Sequence, residues 1–207
     1  MDFVIAQPAQ AFVPVKGSKA TFPVHRIYCV GRNYAAHAIE MGGDPDRDPP
    51  FFFQKNPDNL VLDGAFPYPT ASKDVHHEIE MAVALKSGGN DIPLGKALDC
   101  VYGYGVALDM TRRDLQNDMK KQGRPWCIGK GFDASAPIGP ITPIDQAGDI
   151  AKAAIWLQVN GADRQRSTAE EQHHAQRVGV ALEPLVERRR GLLGVLRLRV
   201  RGAIVNW

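Results

Sequence analysis

The sequence has few cysteines and no long apolar run. Cys29, Cys100 and Cys127 are an odd number and widely spaced, and they match no zinc-binding or redox motif. No stretch approaches the roughly 20 apolar residues that a membrane-spanning helix needs. The opening residues MDFVIAQPAQ lack the basic and then apolar order of a secretory signal. These absences favour a protein of the reducing cytoplasm that has no membrane partner.

The chain also has little net charge. A formal charge of +2 over 207 residues gives no reason to expect a nucleic-acid partner, and this length can form one sizeable core. The charge is nevertheless uneven: residues 1–152 contain 16 Lys and Arg against 18 Asp and Glu, whereas residues 153–207 contain nine arginines, no lysine and five acidic residues. The C-terminal part therefore differs in composition from the rest.

The segment KDVHHEIEMAVAL, residues 73–85, combines titratable side chains with a strand pattern. Apolar residues alternate from Ile79 to Leu85, which predicts a strand with one apolar face. Glu78 and Glu80 then project from the opposite face, where two like charges repel each other. Two interpretations follow: a solvated strand face, or a site for a hard cation such as Mg²⁺, Mn²⁺ or Ca²⁺. If His76 or His77 joined the two carboxylates, zinc or iron would become possible instead.

A third acidic residue follows a second predicted strand. Val101 to Leu108 is apolar with interspersed glycines, and Asp109 comes directly after it. The sequence Thr111-x-x-Asp114 resembles a capping box, which predicts a helix that ends before Gly123. Asp109 would then lie at a junction of strand and helix, either as a ligand or as an ordinary turn residue.

A short helix carries a candidate acid–base pair. The residues from Tyr34 to Met41 follow a possible cap at Asn33, and His37 and Glu40 share one face because they are three positions apart. A carboxylate beside an imidazole orients it as a general base requires, although such pairs are also common on protein surfaces.

Two further segments contribute candidate elements. FFFQK alternates as a strand, with Phe51, Phe53 and Lys55 on one face. In WCIGKGFDASAPIGP, Lys130 lies between glycines. This lysine is either solvated or in contact with an anionic ligand.

Five segments of the chain carry a resemblance to a known family. They read RIYCVGRNYAAHAIEMG, PPFFFQK, HHEIEMAVAL, YGYGVALDMTRRDLQ and GKGFDASAPIGP. In this order and at these separations they resemble the fumarylacetoacetate hydrolase superfamily, and within it the acylpyruvases and fumarylpyruvate hydrolases. The resemblance implies a mixed β fold with a few helices (α+β), a β roll like that family's C-terminal domain, and a homodimer.

The resemblance also implies a metal site and a catalytic dyad. Glu78, Glu80 and Asp109 match the three carboxylates that hold Mg²⁺ or Mn²⁺ in the family. His37 and Glu40 match the pair that activates water. His76 and His77 would then be supporting residues rather than ligands.

Three more positions match family residues near the substrate. Lys130 matches a lysine close to the charge that develops on the substrate. Arg113 and Gln116 match a polar pair close to the metal site and its substrate. The implied reaction is hydrolysis of a C–C bond in a 2,4-dioxo acid such as fumarylpyruvate, in aromatic-compound catabolism. Oxaloacetate decarboxylation or 2-oxo acid isomerisation would suit the same site.

The C-terminal part departs from the family pattern. We expect an N-terminal arm or strand pair over residues 1–25, a catalytic domain over 26–166 and a divergent arginine-rich tail over 167–207. The tail lacks the Gly-Thr-Pro loop and the Gly-Asp turn of the family, so the roll is expected to be incomplete, with exposed strand edges.

The tail itself allows several interpretations. VLRLRVR alternates as a strand, and a helix is possible within residues 169–190. The change in composition suggests out-of-frame translation or a rearranged gene end, which the coding DNA would test, or a genuine divergent tail. The chain could then be an active enzyme, a catalytically impaired metal-binding homologue, or an interaction module that uses the arginines.

Overall fold

A computed structural model describes residues 2–31, 51–90, 92–168 and 203–206 of the chain. Strands dominate these ranges, which confirms the predicted mixed β class with few helices. The strands are β1 Phe12–Pro14, β2 Thr21–Pro23, β3 Arg26–Gly31, β4 Phe51–Lys55, β5 Leu60–Val61, β6 Val75–His76, β7 Ile79–Leu85, β8 Val101–Leu108, β9 Thr111–Arg112, β10 Ala136–Pro137, β11 Thr142–Pro143, β12 Ala154–Val159, β13 Ala162–Thr168 and β14 Ala203–Asn206.

The helices of the same ranges are short. Two are α-helical, α1 Arg113–Lys121 and α2 Cys127–Lys130. The 3-10 helices are Pro57–Asn59, Leu94–Cys100, Ile144–Gln146 and Ile150–Lys152. Not one of the helices described is long and apolar enough to cross a membrane.

Six of the described strands form the main sheet, in the order β11-β8-β7-β14-β3-β4. β7 and β8 pair antiparallel, with Ile79 opposite Leu108 and Glu80 opposite Ala107. β3 and β4 also pair antiparallel. The acidic end of β7 therefore lies beside the end of β8 that leads into Asp109.

The sheet has a hydrophobic cluster on each face. On one face the predicted apolar residues of β7, such as Val83, pack with Tyr28 and Tyr104. On the other, Ala82 and Ala84 pack with neighbours that include Cys29. The two-residue period of β7 is therefore confirmed, but beyond Glu80 both faces are covered.

The predicted capping box at Thr111-x-x-Asp114 is wrong. Thr111 belongs to β9, and α1 begins two residues later without a side-chain cap. The Asp114 carboxylate instead accepts hydrogen bonds from the Ser72 hydroxyl at 2.7 Å and the Lys73 backbone N–H at 3.0 Å. Its role is to attach the loop before β6 to the helix.

The tail contributes a strand inside the main sheet. Ala203–Asn206 pairs parallel with β3 and antiparallel with β7. The expectation that the tail would leave strand edges exposed is therefore wrong for this part of the sheet, because β14 is bonded on both sides. The predicted helix at Tyr34–Met41 and the VLRLRVR segment lie outside the described residues.

Gly103 permits a close contact between β8 and β11. A Cβ atom at this position would lie 2.2 Å from the Thr142 carbonyl oxygen across the β8–β11 pair. We expect Gly103→Ala to lower the free energy of unfolding by about 2 to 3 kcal/mol, since overpacking forces the backbone apart. Gly95→Ala, where a Cβ meets nothing within 4 Å, is the matched control. Equal urea midpoints for the two variants would contradict this prediction.

Candidate functional site

Three carboxylates gather at one end of the β7–β8 pair. Glu78 precedes β7, Glu80 lies in it, and Asp109 follows β8 directly. The Asp109 backbone N–H donates to the Glu78 carbonyl oxygen at 2.8 Å, which extends the pairing of the two strands to the site. The register of one hairpin therefore positions all three side chains.

The Lys130 ammonium lies between two of these carboxylates. It donates to Glu78 Oε2 and Asp109 Oδ2, each at 2.8 Å, and to the Thr111 hydroxyl at 2.7 Å. Its side chain is buried, with an exposed fraction of 3%. The alternative of a solvated lysine is therefore wrong, since the ammonium contacts the anionic groups of the site.

Lys55 is a second buried cation, and the sequence did not identify it as a site residue. Its Nζ atom forms an ion pair with Asp109 Oδ1 at 2.9 Å, without the alignment of a regular hydrogen bond. It donates to the Met110 carbonyl oxygen at 3.1 Å and also to that of Lys130. The one available signal was the alternation of β4, which places Lys55 on the same face as Phe51 and Phe53.

Arg113 connects Glu78 to the first turn of α1. Its guanidinium hydrogen-bonds to the Glu78 carboxylate and to the side-chain oxygen of Gln116. Arg113 Nε also donates to His76 Nδ1 at 3.3 Å, and His76 Nε2 lies 3.0 Å from Asp74 Oδ1. His76 therefore contacts the arginine rather than the carboxylate cluster.

The pKa of Glu80 is raised well above its ordinary value. Burial is the largest cause, and the negative charges of Asp109 and Glu78 add to it. The Glu80 Oε2 atom is itself buried and has no hydrogen-bond partner among the described residues. A solvated strand face does not fit these observations.

The two lysines have the opposite effect on Asp109. Burial alone would raise the pKa of Asp109, but the charges of Lys130 and Lys55, together with the Lys130 hydrogen bond, outweigh it and hold that pKa below its ordinary value. Burial would likewise lower the pKa of Lys130, yet Asp109 and Glu78 keep it raised. The pair of Asp109 and Lys130 therefore stays charged at neutral pH.

The donor set suits a divalent cation chemically. Three carboxylates converge, and one has a buried oxygen without a partner, which is the arrangement that a hard cation stabilises. Within the described ranges, no three His, Cys, Asp or Glu side chains are spaced as metal ligands, and the Lys130 ammonium bridges Glu78 and Asp109. A bound cation would thus share these carboxylates with Lys130.

Two of the predicted site residues cannot be placed. His37 and Glu40, the candidate acid–base pair, lie outside the described residues. The structure brings together the six others, namely Glu78, Glu80, Asp109, Arg113, Gln116 and Lys130, and adds Lys55 and Thr111 to them.

Comparison with known proteins identifies the family. The pattern of the fumarylacetoacetate hydrolase C-terminal family matches residues 26–176. The chain belongs to the fumarylacetoacetate hydrolase family. The chain also superposes on a crystal structure of fumarylpyruvate hydrolase from Pseudomonas aeruginosa in complex with Mn²⁺ and pyruvate. The TM-score is 0.87 at 47% identity, with 99% of this chain and 85% of that chain covered.

Curated relatives of this chain are named for other activities. The mitochondrial oxaloacetate decarboxylase of Dictyostelium discoideum is 41% identical over 143 residues, which are 68% of this chain and 65% of the relative. The mitochondrial oxaloacetate tautomerase of Arabidopsis thaliana is 39% identical over 141 residues, 68% of this chain and 63% of the relative. The match thus spans less than two thirds of both relatives.

Proposed function

We propose that this chain is a divalent-metal-dependent hydrolase that cleaves a C–C bond in a 2,4-dioxo acid. With fumarylpyruvate the products would be fumarate and pyruvate. The observation that carries the proposal is that Glu78 and Asp109 both bind the buried ammonium of Lys130, while the charges of Asp109 and Glu78 help to raise the pKa of the buried Glu80 carboxyl beside them. The similarity to a hydrolase that binds Mn²⁺ and pyruvate supports it.

Glu78, Glu80 and Asp109 would hold Mg²⁺ or Mn²⁺ through their carboxylate oxygens. When bound, such an ion supplies Lewis-acid polarisation of a substrate carbonyl group. The positive charge of the ion would stabilise Glu80 most, because its Oε2 atom is buried without a hydrogen-bond partner among the described residues. The neighbouring carboxylates of Asp109 and Glu78 also carry negative charge.

The cations of the site would bind and orient the substrate's negative groups. Lys130 holds an ammonium in a buried setting, where it stabilises negative charge more strongly than it could in water. Arg113 and Gln116 would present fixed polar groups beside the carboxylates, since Arg113 is held by Glu78 and His76 and donates to Gln116. These contacts would favour an anionic 2-oxo acid over a neutral ketone.

His37 and Glu40 would perform the proton transfer. In this proposal the carboxylate of Glu40 orients the imidazole of His37, which removes a proton from the water that attacks the C4 carbonyl carbon. The C3–C4 bond then breaks, and the electron pair leaves with the pyruvate half as an enolate that takes up a proton. The Lys130 ammonium would stabilise the negative charge that develops there.

Oxaloacetate decarboxylation or tautomerisation is the second candidate. The names of the two curated relatives favour it, and decarboxylation of oxaloacetate also leaves the enolate of pyruvate. The same cations would therefore serve both reactions. The homodimeric assembly, the cytoplasmic location and the place in aromatic-compound catabolism that the resemblance implies are part of the proposal as well.

The test is turnover of fumarylpyruvate by the purified chain, followed by loss of the substrate's absorbance. We expect cleavage with Mg²⁺ or Mn²⁺, none after EDTA, and none in Asp109→Asn. Oxaloacetate, assayed in parallel, separates the two candidates. If Mg²⁺ raises the melting temperature while neither substrate reacts, the chain is a catalytically impaired homologue. Turnover unaffected by EDTA would contradict the metal-dependent mechanism.

A further inference from the structure

Lys55 is a buried charge that the proposed chemistry does not use. Its side chain has an exposed fraction of 0%, so it cannot contact a substrate in the site. Burying an ammonium is costly unless acceptors surround it. Three oxygens do so: one from the Asp109 carboxylate and one each from the Met110 and Lys130 carbonyl groups.

The two oxygens of the Asp109 carboxylate have different partners. Oδ1 lies 2.9 Å from the Lys55 ammonium, whereas Oδ2 lies 2.8 Å from that of Lys130. The same Lys130 ammonium reaches Glu78 Oε2. Oδ2 therefore faces the carboxylate cluster, and Oδ1 faces the protein interior.

Lys55 also fixes the backbone that carries the reacting groups. By bonding to the carbonyl of Met110 it holds the residue after Asp109, and by bonding to the carbonyl of Lys130 it holds the end of α2. The Ser135 hydroxyl bonds to the same Lys130 carbonyl at 3.1 Å. One ammonium thus joins β4, the turn after β8 and α2.

We propose that Lys55 is a positioning residue that reserves Asp109 Oδ1, so that Asp109 offers only Oδ2 to a bound divalent cation. The inference rests on the proposed function, because it concerns the same three carboxylates. Without Lys55 the carboxylate is free to rotate and to present both oxygens.

Electrostatic attraction alone predicts the opposite result. Removing a positive charge next to Asp109 makes the site more negative, which should tighten cation binding. Positioning predicts weaker binding, since changing a residue that orients a metal ligand typically costs about 10- to 100-fold in metal affinity. The sign of the change therefore separates the two explanations.

The test is Mn²⁺ binding by the full chain, measured by electron paramagnetic resonance. Lys55→Met removes the charge at similar length, and Lys55→Gln keeps a hydrogen-bond donor that fits the space. We expect the dissociation constant for Mn²⁺ to rise about 10-fold or more in Lys55→Met, less in Lys55→Gln, and the zero-field splitting of bound Mn²⁺ to change. The control is Lys96→Met, an exposed lysine paired with Asp99, which should match wild type.

A purely structural role gives a different pattern. It would lower the melting temperature of the Lys55 variants but leave the affinity for Mn²⁺ and the spectrum of bound Mn²⁺ as in wild type. That result would overturn the inference. Tighter binding of Mn²⁺ by the variants would overturn it as well. If wild type binds no Mn²⁺, the proposed function fails rather than the role of Lys55.

A second measurement uses the wild-type chain, so it does not depend on whether the Lys55 variants fold. In a crystal structure of the wild-type chain with Mn²⁺, we expect Lys55 Nζ to stay within 3.5 Å of Asp109 Oδ1 while Oδ2 faces the ion, a limit set by ordinary hydrogen-bond geometry. Coordination of Mn²⁺ through Oδ1 would overturn the inference.

Discussion

Replacing Lys130 with methionine should lower kcat for fumarylpyruvate by about 100- to 1,000-fold, the effect of removing one preorganised donor from a site that stabilises developing charge. The affinity for Mn²⁺ should stay the same or increase. The reason is that the Lys130 ammonium shares Glu78 Oε2 and Asp109 Oδ2 with any cation that the site holds. Steady-state kinetics together with Mn²⁺ titration would check both parts.

The control for this prediction is Lys152→Met. Lys152 is exposed and, among the described residues, pairs with Asp149 three residues earlier; such pairs contribute little to stability. Its kcat should equal that of wild type. A Lys130→Met variant that keeps full turnover, or one that loses Mn²⁺ binding together with turnover, would contradict the role proposed for Lys130.

Replacing Glu80 with glutamine should stabilise the metal-free protein while abolishing its metal response. The folded-state pKa of Glu80 is raised above its ordinary value of 4.5, first by burial and then by Asp109 and Glu78. The folded state therefore holds the proton more tightly than the unfolded state. It follows that the contribution of Glu80 to the free energy of unfolding is largest below its ordinary pKa and is lost as the pH rises through the raised one.

Glutamine cannot ionise, so the variant should escape this loss. In EDTA at pH 7 to 8 we expect Glu80→Gln to melt above wild type, with the difference disappearing as the pH falls toward 4.5, the ordinary value for glutamate. Mg²⁺ should raise the melting temperature of wild type only, and the variant should have no turnover. The control is Asp58→Asn at an exposed position. A Glu80→Gln variant that melts lower at every pH would contradict the prediction.

The strands were predictable because alternation is local. The two-residue period around Ile79 to Leu85 sufficed to predict β7 and to put Glu78 and Glu80 on the face opposite its apolar residues. The helix α1 was predicted as well, apart from its first residues. There the Thr111 hydroxyl accepts a hydrogen bond from Lys130, a contact between residues 19 positions apart that no local pattern contains.

The contacts of the site were less predictable, since they join distant segments. Lys55, at the end of β4, is 54 positions from Asp109 and 75 from Lys130. A lysine at the end of a strand is usually solvated, as its charge prefers water. Only the folded arrangement, in which Asp109 and two carbonyl groups surround its ammonium, explains why it is buried.

The strand β14 also has a consequence for the order in which the molecule is assembled. Ala203 pairs with Arg26 on one side and with Leu85 on the other. The strand pairs β3–β4 and β7–β8 are therefore joined through β14, which is synthesised long after both. Each strand pair can form early from local contacts, but their union requires closure of a very large loop, which is slow. We therefore expect refolding to show a fast phase for the strand pairs and a late phase in which β14 completes the sheet.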